Sequence, residues 1–252
     1  MADSPESIKP YDQGSSKAEQ VEAMFDNIAP SYDFMNTAMT FGLHRSWLKK
    51  ALDKVHDMSV ADNGQPSILD IATGTGDVAF RLAALFPQAD ITGVDLSEGM
   101  LAVARRKLEE LPAEEASRIR FLQGNGLDLS FPDASFNLIT IAYGVRNFEN
   151  LKKGFEEFFR TLKPGAKCMI LELSRPENPV IRLGYDLYSR LIIPFIGRLV
   201  SKDRRAYSYL PQSIAAMPSR KKMAEMLRDA GFRNVFYKPL TMGVVTYYIA
   251  EK

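Results

Sequence analysis

Cysteine is nearly absent: Cys168 stands alone among 252 residues, which excludes an internal disulfide framework and any metal cluster built on thiolates. Histidine is almost as scarce, and His44 and His56 share no ligand spacing, so no bound catalytic metal is expected. No uninterrupted stretch reaches the roughly 20 apolar residues that cross a bilayer. The opening MADSPESIKPYDQG lacks the basic start and apolar run of a secretory leader. An excess of one charge is missing too: 32 basic against 31 acidic residues leave a formal net charge of +1, so no global field gathers nucleic acid. Together these absences predict a cytoplasmic protein whose thiol is buried strand filler and whose charge-based recognition is local.

What is present is enough apolar material, 46% of residues, for a large core in one α/β domain or two small ones. Residues 1–18, polar with prolines at 5 and 10, are expected to form a flexible tail. Residues 19–60 read as an N-terminal helical lid with helices over 19–28, 34–39 and 44–56, broken at Ala29-Pro30 and Thr40-Phe41-Gly42. A polar linker, Asp62-Asn63-Gly64-Gln65-Pro66, leads into the main domain, 61–252. There, strands at 67–71, 91–94, 119–122, 136–142 and 167–171 alternate with helices at 78–86, 98–109 and 151–162, while the third and fourth strands are joined by a turn at 124–132. Near-continuous apolar strands in such alternation predict a parallel sheet covered by helices on both sides. A helix at 219–230 precedes strands 233–238 and 244–250, and the 239–243 connection is too short for a parallel crossover, so the last two strands form an antiparallel hairpin. Residues 180–218, rich in Tyr, Phe, Ile and Leu, read as a helical insertion on the ligand-binding side of the sheet.

The central motif is Leu69-Asp70-Ile71-Ala72-Thr73-Gly74-Thr75-Gly76-Asp77. Gly74 and Gly76 lie between a buried strand and a helix start, where missing Cβ atoms let backbone turn sharply and approach a nucleotide. Asp95 ends the second strand nineteen residues beyond Gly76, the position of an acid that accepts ribose hydroxyls. That spacing admits NAD as well as an adenosyl sulfonium. Against NAD stand Ala79 in place of a third glycine and the terminal hairpin. Asn125 and Gly126 follow the third strand, where an amide could pair with an adenine edge, the competing reading being an Asx turn.

Two longer signatures carry a resemblance. Residues 21–42, VEAMFDNIAPSYDFMNTAMTFG, continue into His44-Arg45-Ser46-Trp47; and Tyr143-Gly144-Val145-Arg146-Asn147-Phe148 is followed by Leu171-Glu172-Leu173-Ser174-Arg175-Pro176. On these motifs the chain, from about residue 19 to its end, resembles the quinone-biosynthesis C-methyltransferases. That group methylates demethylmenaquinol to menaquinol and, in other members, a polyprenyl-methoxybenzoquinol of the ubiquinone pathway. The resemblance implies a seven-stranded, mostly parallel sheet with an antiparallel last strand, the class I S-adenosylmethionine-dependent methyltransferase fold. It implies S-adenosylmethionine as cofactor, held by Thr73, Gly74, Thr75, Gly76, Asp95, Leu96, Asn125, Gly126 and the lid residue Tyr32. Ala142 stands where several relatives carry serine, so one polar cofactor contact is missing.

Methylating an aromatic carbon needs the electron-rich quinol and not the quinone. Arg146, at the carboxyl edge, is expected to place positive charge near a developing phenolate or to order a neighbouring acid, and Asn147 to donate to a quinol oxygen. A surface pairing of Arg146 with Glu149 is the competing role. Tyr32, with Asp33 and Asn36, belongs to a lid that orders over ligand. His44 is a candidate proton acceptor, with capping or packing beside Trp47 as its alternative. Residues 180–218 could line a channel for the prenyl tail, and Arg182, Arg190, Arg198, Lys202, Arg204 and Arg205 could meet lipid phosphates at the inner face of a membrane. The expected substrate is demethylmenaquinol. The benzoquinol, another aromatic acceptor, and a non-catalytic cofactor-binding scaffold are the alternatives. Nucleic acid is not an expected partner, and a homodimer is left open.

Overall fold

A computed structural model describes residues 4–11, 14–58, 65–200 and 204–252, apart from the side chains of residues 190, 193–200, 204 and 207. Linker residues Asp62, Asn63 and Gly64, and the side chains of Arg190, Arg198, Lys202 and Arg204, therefore lie outside the described residues. The strands are β1 Ser67–Ile71, β2 Asp90–Asp95, β3 Ile119–Gln123, β4 Phe136–Ala142, β5 Leu162–Leu173, β6 Arg233–Leu240 and β7 Val245–Glu251. They form one sheet in the order β3-β2-β1-β4-β5-β7-β6. β7 enters between β5 and β6 and runs antiparallel to both, while the pairs among β1 to β5 are parallel.

Side chains alternate across the sheet, and both faces are apolar because both are covered. Ile68, Ile91, Leu138, Met169 and Ile249 pack on one face with α3 (Leu43–Met58), α4 (Asp77–Leu85) and α5 (Glu98–Glu109). Leu69, Ile71, Ile139, Cys168 and Tyr248 pack on the other with α7 (Leu151–Thr161) and α10 (Arg220–Asp229). A short α6 (Ala113–Ala116) joins α5 to β3. Ser97, Asn150 and Ser219 cap α5, α7 and α10 by accepting backbone N–H bonds, which sets where these helices begin.

A third apolar cluster joins α1 (Lys17–Ile28) and α2 (Tyr32–Thr40) to α5 and α9 (Arg204–Ala215), through Met24, Ile28, Met35, Met100, Ala206 and Tyr209. α8 (Pro179–Val200) follows β5, and its Tyr188 hydroxyl donates to Met39 O, tying the insertion to α2. The helices α1 to α3 and α8 to α9 thus roof the carboxyl ends of the strands.

Two expectations change. The tail expected over 1–18 is packed where it is described: Lys17 is 2% exposed and its Nζ donates to Pro5 O, Arg146 O and Phe148 O. Glu6 reaches the start of α7, accepting from Leu151 N at 2.8 Å. The fifth strand begins at Leu162, not Lys167, because Leu162 pairs with Phe136; Gly165, at φ +76°, lies within the irregular stretch that shifts the register before Leu138.

Candidate active site

The first loop after the sheet's central strand turns through left-handed backbone at Ala72 (φ 51°), Gly74 (φ 56°) and Gly76 (φ 86°). Two of these glycines answer different demands. A Cβ on Gly76 would lie 2.7 Å from Phe80, so its place is set by packing; one on Gly74 would meet only Tyr32, at 3.9 Å, so its side faces open space. Asp70, fully buried under the turn, accepts from Thr73 Oγ1 at 2.6 Å and from Thr140 Oγ1 at 2.7 Å. Burial pushes its carboxyl up to about 7 against those two hydrogen bonds.

Asp95 ends β2 with Oδ2 accepting from Gly74 N (2.8 Å) and Oδ1 from Ser97 N (2.9 Å). No cation pairs with it among the described residues, and burial raises its carboxyl to about 6 in spite of the backbone N–H bonds. A narrow cleft opens here, walled by Gly74, Asp95, Leu96, Gly124, Gly126 and Ala142, with Phe25 and Tyr32 leaning over from the lid. Beside it lies a larger cavity of about 340 Å³, lined by apolar residues that include Met24, Met35, Trp47, Ile181, Leu210 and Val244. The two spaces share Phe25, Tyr32, Tyr143 and Asn147.

The polar groups of the larger cavity come from the turn after β4 and from the helices that cover it. Arg146 is 6% exposed; Nη1 donates to Tyr143 O and, at 2.9 Å, to Glu172 Oε1. Burial works against its charge, but Glu172 and nearby tyrosines outweigh that and raise its pKa. Glu172, 1% exposed, also accepts from the backbone N–H groups of Arg146 and Leu173. Asn147 Oδ1 accepts from the Tyr209 hydroxyl at 3.1 Å, so the carbonyl end of its amide is taken. On the lid side, the Thr40 hydroxyl donates to Asn36 O (2.6 Å) and lies 2.8 Å from His44 Nδ1. With that proton committed, Nδ1 carries the imidazole hydrogen and Nε2 is left as the acceptor. Burial first, then Arg45, lowers the His44 pKa, keeping the ring neutral at pH 7. Tyr32 is held protonated, burial raising its pKa.

Acids on α1 and α2 pin these helices to the glycine turn and to α5: Asp33 Oδ1 accepts from Thr75 Oγ1 at 2.6 Å and its other oxygen pairs with Lys107, while Asp26 accepts from Ser97 Oγ and Gly99 N.

Of the residues singled out in the sequence, Gly74, Asp95, Leu96, Gly126 and Tyr32 wall the cleft, and Arg146, Asn147, His44 and Tyr32 the larger cavity. Thr73, Thr75, Gly76 and Asn125 stand behind the wall instead. The two threonines are spent on Asp70 and Asp33, and Asn125 Oδ1 accepts from Leu127 N at 2.9 Å, an Asx turn that takes the carbonyl end of its amide. Gly126 spares a clash with Ile71 and Phe148, at 2.9 Å each, so close packing accounts for it. Arg146 pairs with buried Glu172 and not with Glu149. The apolar lining comes as much from α1 to α3 as from residues 180–218. Glu172 and Asp70 carried no assigned role in the sequence, although each is a lone acid inside an apolar strand, a position acids seldom occupy unpaired.

Strand order, a reversed seventh strand and a glycine turn at the rim define the class I methyltransferase fold. Among solved structures, the [4+2]-cyclase SpnF aligns with TM-score 0.65 at 16% identity, covering 93% of this chain and 96% of that one. Phosphoethanolamine N-methyltransferase 2 of Haemonchus contortus aligns with TM-score 0.60 at 17% identity, covering 81% of this chain and 52% of that longer one. At such identities the likeness concerns architecture. Sequence carries more: a demethylmenaquinone methyltransferase of Porphyromonas gingivalis is 43% identical over 250 residues, 99% of both chains. A ubiquinone/menaquinone biosynthesis C-methyltransferase of Dinoroseobacter shibae is 39% identical over 236 residues, 94% of this chain and 92% of that one. The chain belongs to the ubiE/COQ5 methyltransferase family, whose model matches residues 13–252, and it is a methyltransferase.

Proposed function

We propose that this methyltransferase uses S-adenosylmethionine to C-methylate the reduced ring of demethylmenaquinol. The observation that carries the reading is the shared wall: a cleft with a carboxylate at its rim meets a 340 Å³ apolar cavity at Tyr32, Tyr143 and Asn147. The cleft's donor set fits the cofactor. Asp95, half-buried without a cation among the described residues, gains from hydroxyl donors such as those of a ribose, and the open side of Gly74 admits a ligand against backbone. Bound there, S-adenosylmethionine supplies an electrophilic methyl and departs as a neutral thioether, while the ring forms one C–C bond and gives up one proton.

The chain's own residues do the rest. The apolar walls hold the acceptor's ring and tail dry and close to the shared wall, which lowers the barrier by orienting the reacting atoms. Arg146, locked by Glu172, places a fixed positive charge where negative charge grows on the ring oxygen; one such preorganised donor is worth about 10²–10³ in rate. Asn147, oriented by Tyr209, presents its amide to the same region. His44, neutral with Nε2 open, takes the phenol proton. Tyr32 spans both spaces from the lid and covers the cofactor.

The polyprenyl tail of such a substrate also accounts for the insertion's outer face. Val180, Leu183, Leu187 and Leu191 recur at helical spacing on α8 and are 58–78% exposed, which supports peripheral contact of a cytoplasmic protein with the inner membrane face. No helix of the described residues is long and apolar enough to cross a membrane. Relatives named for both ubiquinone and menaquinone synthesis make the polyprenyl-methoxybenzoquinol the second acceptor to try. Labelled S-adenosylmethionine is incubated with chemically reduced acceptors of both ring types, and products are identified by mass. One added methyl on the naphthalene ring is expected; no transfer to either acceptor refutes the reading. Flotation with anionic liposomes tests the membrane contact, and protein left at the bottom of the gradient removes it.

A further inference from the structure

Among the described residues, two buried side-chain atoms have no hydrogen-bond partner: the hydroxyl oxygen of Tyr143 and Nε of Arg146. Such orphans are rare in folded proteins, because an unpaired buried donor forfeits the bonds it had to water. These two sit three residues apart in one turn, and both side chains line the larger cavity; Tyr143 faces the cleft as well. The backbone fixes where the Tyr143 ring goes. Its φ of 59° is unusual for an aromatic residue, its N–H donates to Leu171 O at 2.7 Å, and Gly144 beside it is hemmed in by Ala72 and Ile141. Strained backbone thus holds a polar group, without a partner in the protein, at the junction of the two spaces.

We infer that the Tyr143 hydroxyl donates a hydrogen bond to an oxygen on the acceptor's ring, and that with Arg146 Nε it selects aromatic ligands bearing an oxygen at that junction. The inference rests on the larger cavity being the acceptor site. Burial, then the neighbouring Glu172 carboxylate, raises the Tyr143 pKa, so the phenol keeps its proton and serves as donor, not as base. A ring with two oxygens offers the acceptor this donor lacks, and a bare hydrocarbon does not.

The test pairs one atom on the protein with one on the ligand. Tyr143→Phe keeps the ring and deletes the orphan hydroxyl. Calorimetry with 1-naphthol and with 1-methylnaphthalene, on wild type and variant, isolates the contact without turnover. Wild type is expected to prefer the naphthol, and the variant to lose about five- to tenfold of that preference while binding methylnaphthalene unchanged. In turnover the variant raises KM for the acceptor and leaves S-adenosylhomocysteine affinity as it was. The unliganded variant melts no lower than wild type, since no protein bond is lost. An unchanged naphthol preference, or a loss confined to S-adenosylhomocysteine binding, overturns the assignment of Tyr143 alone. Wild type binding neither aromatic overturns the acceptor-site reading, and this inference with it.

Discussion

Glu172→Gln is the sharpest perturbation the structure offers, because it changes one atom type at a site 1% exposed. The carboxylate accepts three N–H groups: Arg146 Nη1 at 2.9 Å, Arg146 N at 3.2 Å and Leu173 N at 2.8 Å. A carboxamide has one oxygen, so either orientation turns an NH2 toward at least one donor and leaves the guanidinium without its counter-charge. Removing one partner of a buried pair costs about 3–5 kcal/mol. Glutamine keeps the shape and part of the bonding, which puts the expected loss at about 3 kcal/mol, the low end of that range. For a chain of this size that is a fall in Tm of about 6–12 °C. Thermal unfolding followed by far-ultraviolet circular dichroism at pH 7 reads it directly. Arg146→Met combined with Glu172→Gln removes both charges and should recover at least half of the loss, since replacing both members of a buried pair is far less costly than orphaning one. A single variant melting within 2 °C of wild type, or a double variant no better than the single, refutes the reasoning. The folded double variant also isolates the catalytic role of Arg146. Turnover with saturating cofactor should drop by about 10²–10³, whereas Arg146→Ala alone confounds that loss with an unpaired buried Glu172.

Three further outcomes follow from the structure. In the proposed cofactor site Asp95 accepts ribose hydroxyls as a carboxylate, so on that reading S-adenosylhomocysteine affinity should weaken as pH falls through about 6, and Asp95→Asn should abolish that dependence; calorimetry at pH 5 and pH 7.5 checks both. Stability runs the opposite way. Folded carboxyls raised to about 6 (Asp95) and about 7 (Asp70) from an ordinary 3.8 contribute stability that is full at low pH and lost as pH rises through those values; Asp95→Asn turns an NH2 on Gly74 N or Ser97 N and melts lower at pH 5, but its Tm should fall less than the wild type's between pH 5 and pH 7.5. Lys17→Ala strips donors from three carbonyls, two of them in the Arg146 turn, and should cost about 2 kcal/mol while exposing the chain around Pro5 to limited proteolysis; digestion no faster than wild type's would refute that role.

Much of the frame was readable from one dimension. The apolar runs at 67–71 and 136–142 and the helix at 98–109 have the expected boundaries, because a strand buried on both faces leaves a near-continuous apolar run and a capped amphipathic helix leaves a local period. The positions of Gly74 and Asp95 at one cleft were readable because the turn and the strand-end acid are local features with fixed spacing. The two readings weighed for Asn125, an Asx turn and an adenine contact, look alike in sequence; the structure shows the turn, with Leu127 N 2.9 Å from its oxygen. The packed N-terminus was hidden because a lysine at a helix start reads as solvated, and burial of Lys17 is made bearable by Pro5 O together with the carbonyls of a turn 129 residues away.

Periodicity and composition therefore determined, by themselves, that the chain builds a parallel α/β sheet with a glycine-bearing turn after its first strand, since each of those facts rests on local patterns of apolar runs and turn residues. Tertiary structure alone decided that β7 slips between β5 and β6, that Glu172 meets Arg146 across 26 residues and Tyr209 meets Asn147 across 62, and that two cavities share one wall. Charge pairing and cavity shape are properties of which surfaces the folded chain brings together, and no local pattern encodes that choice.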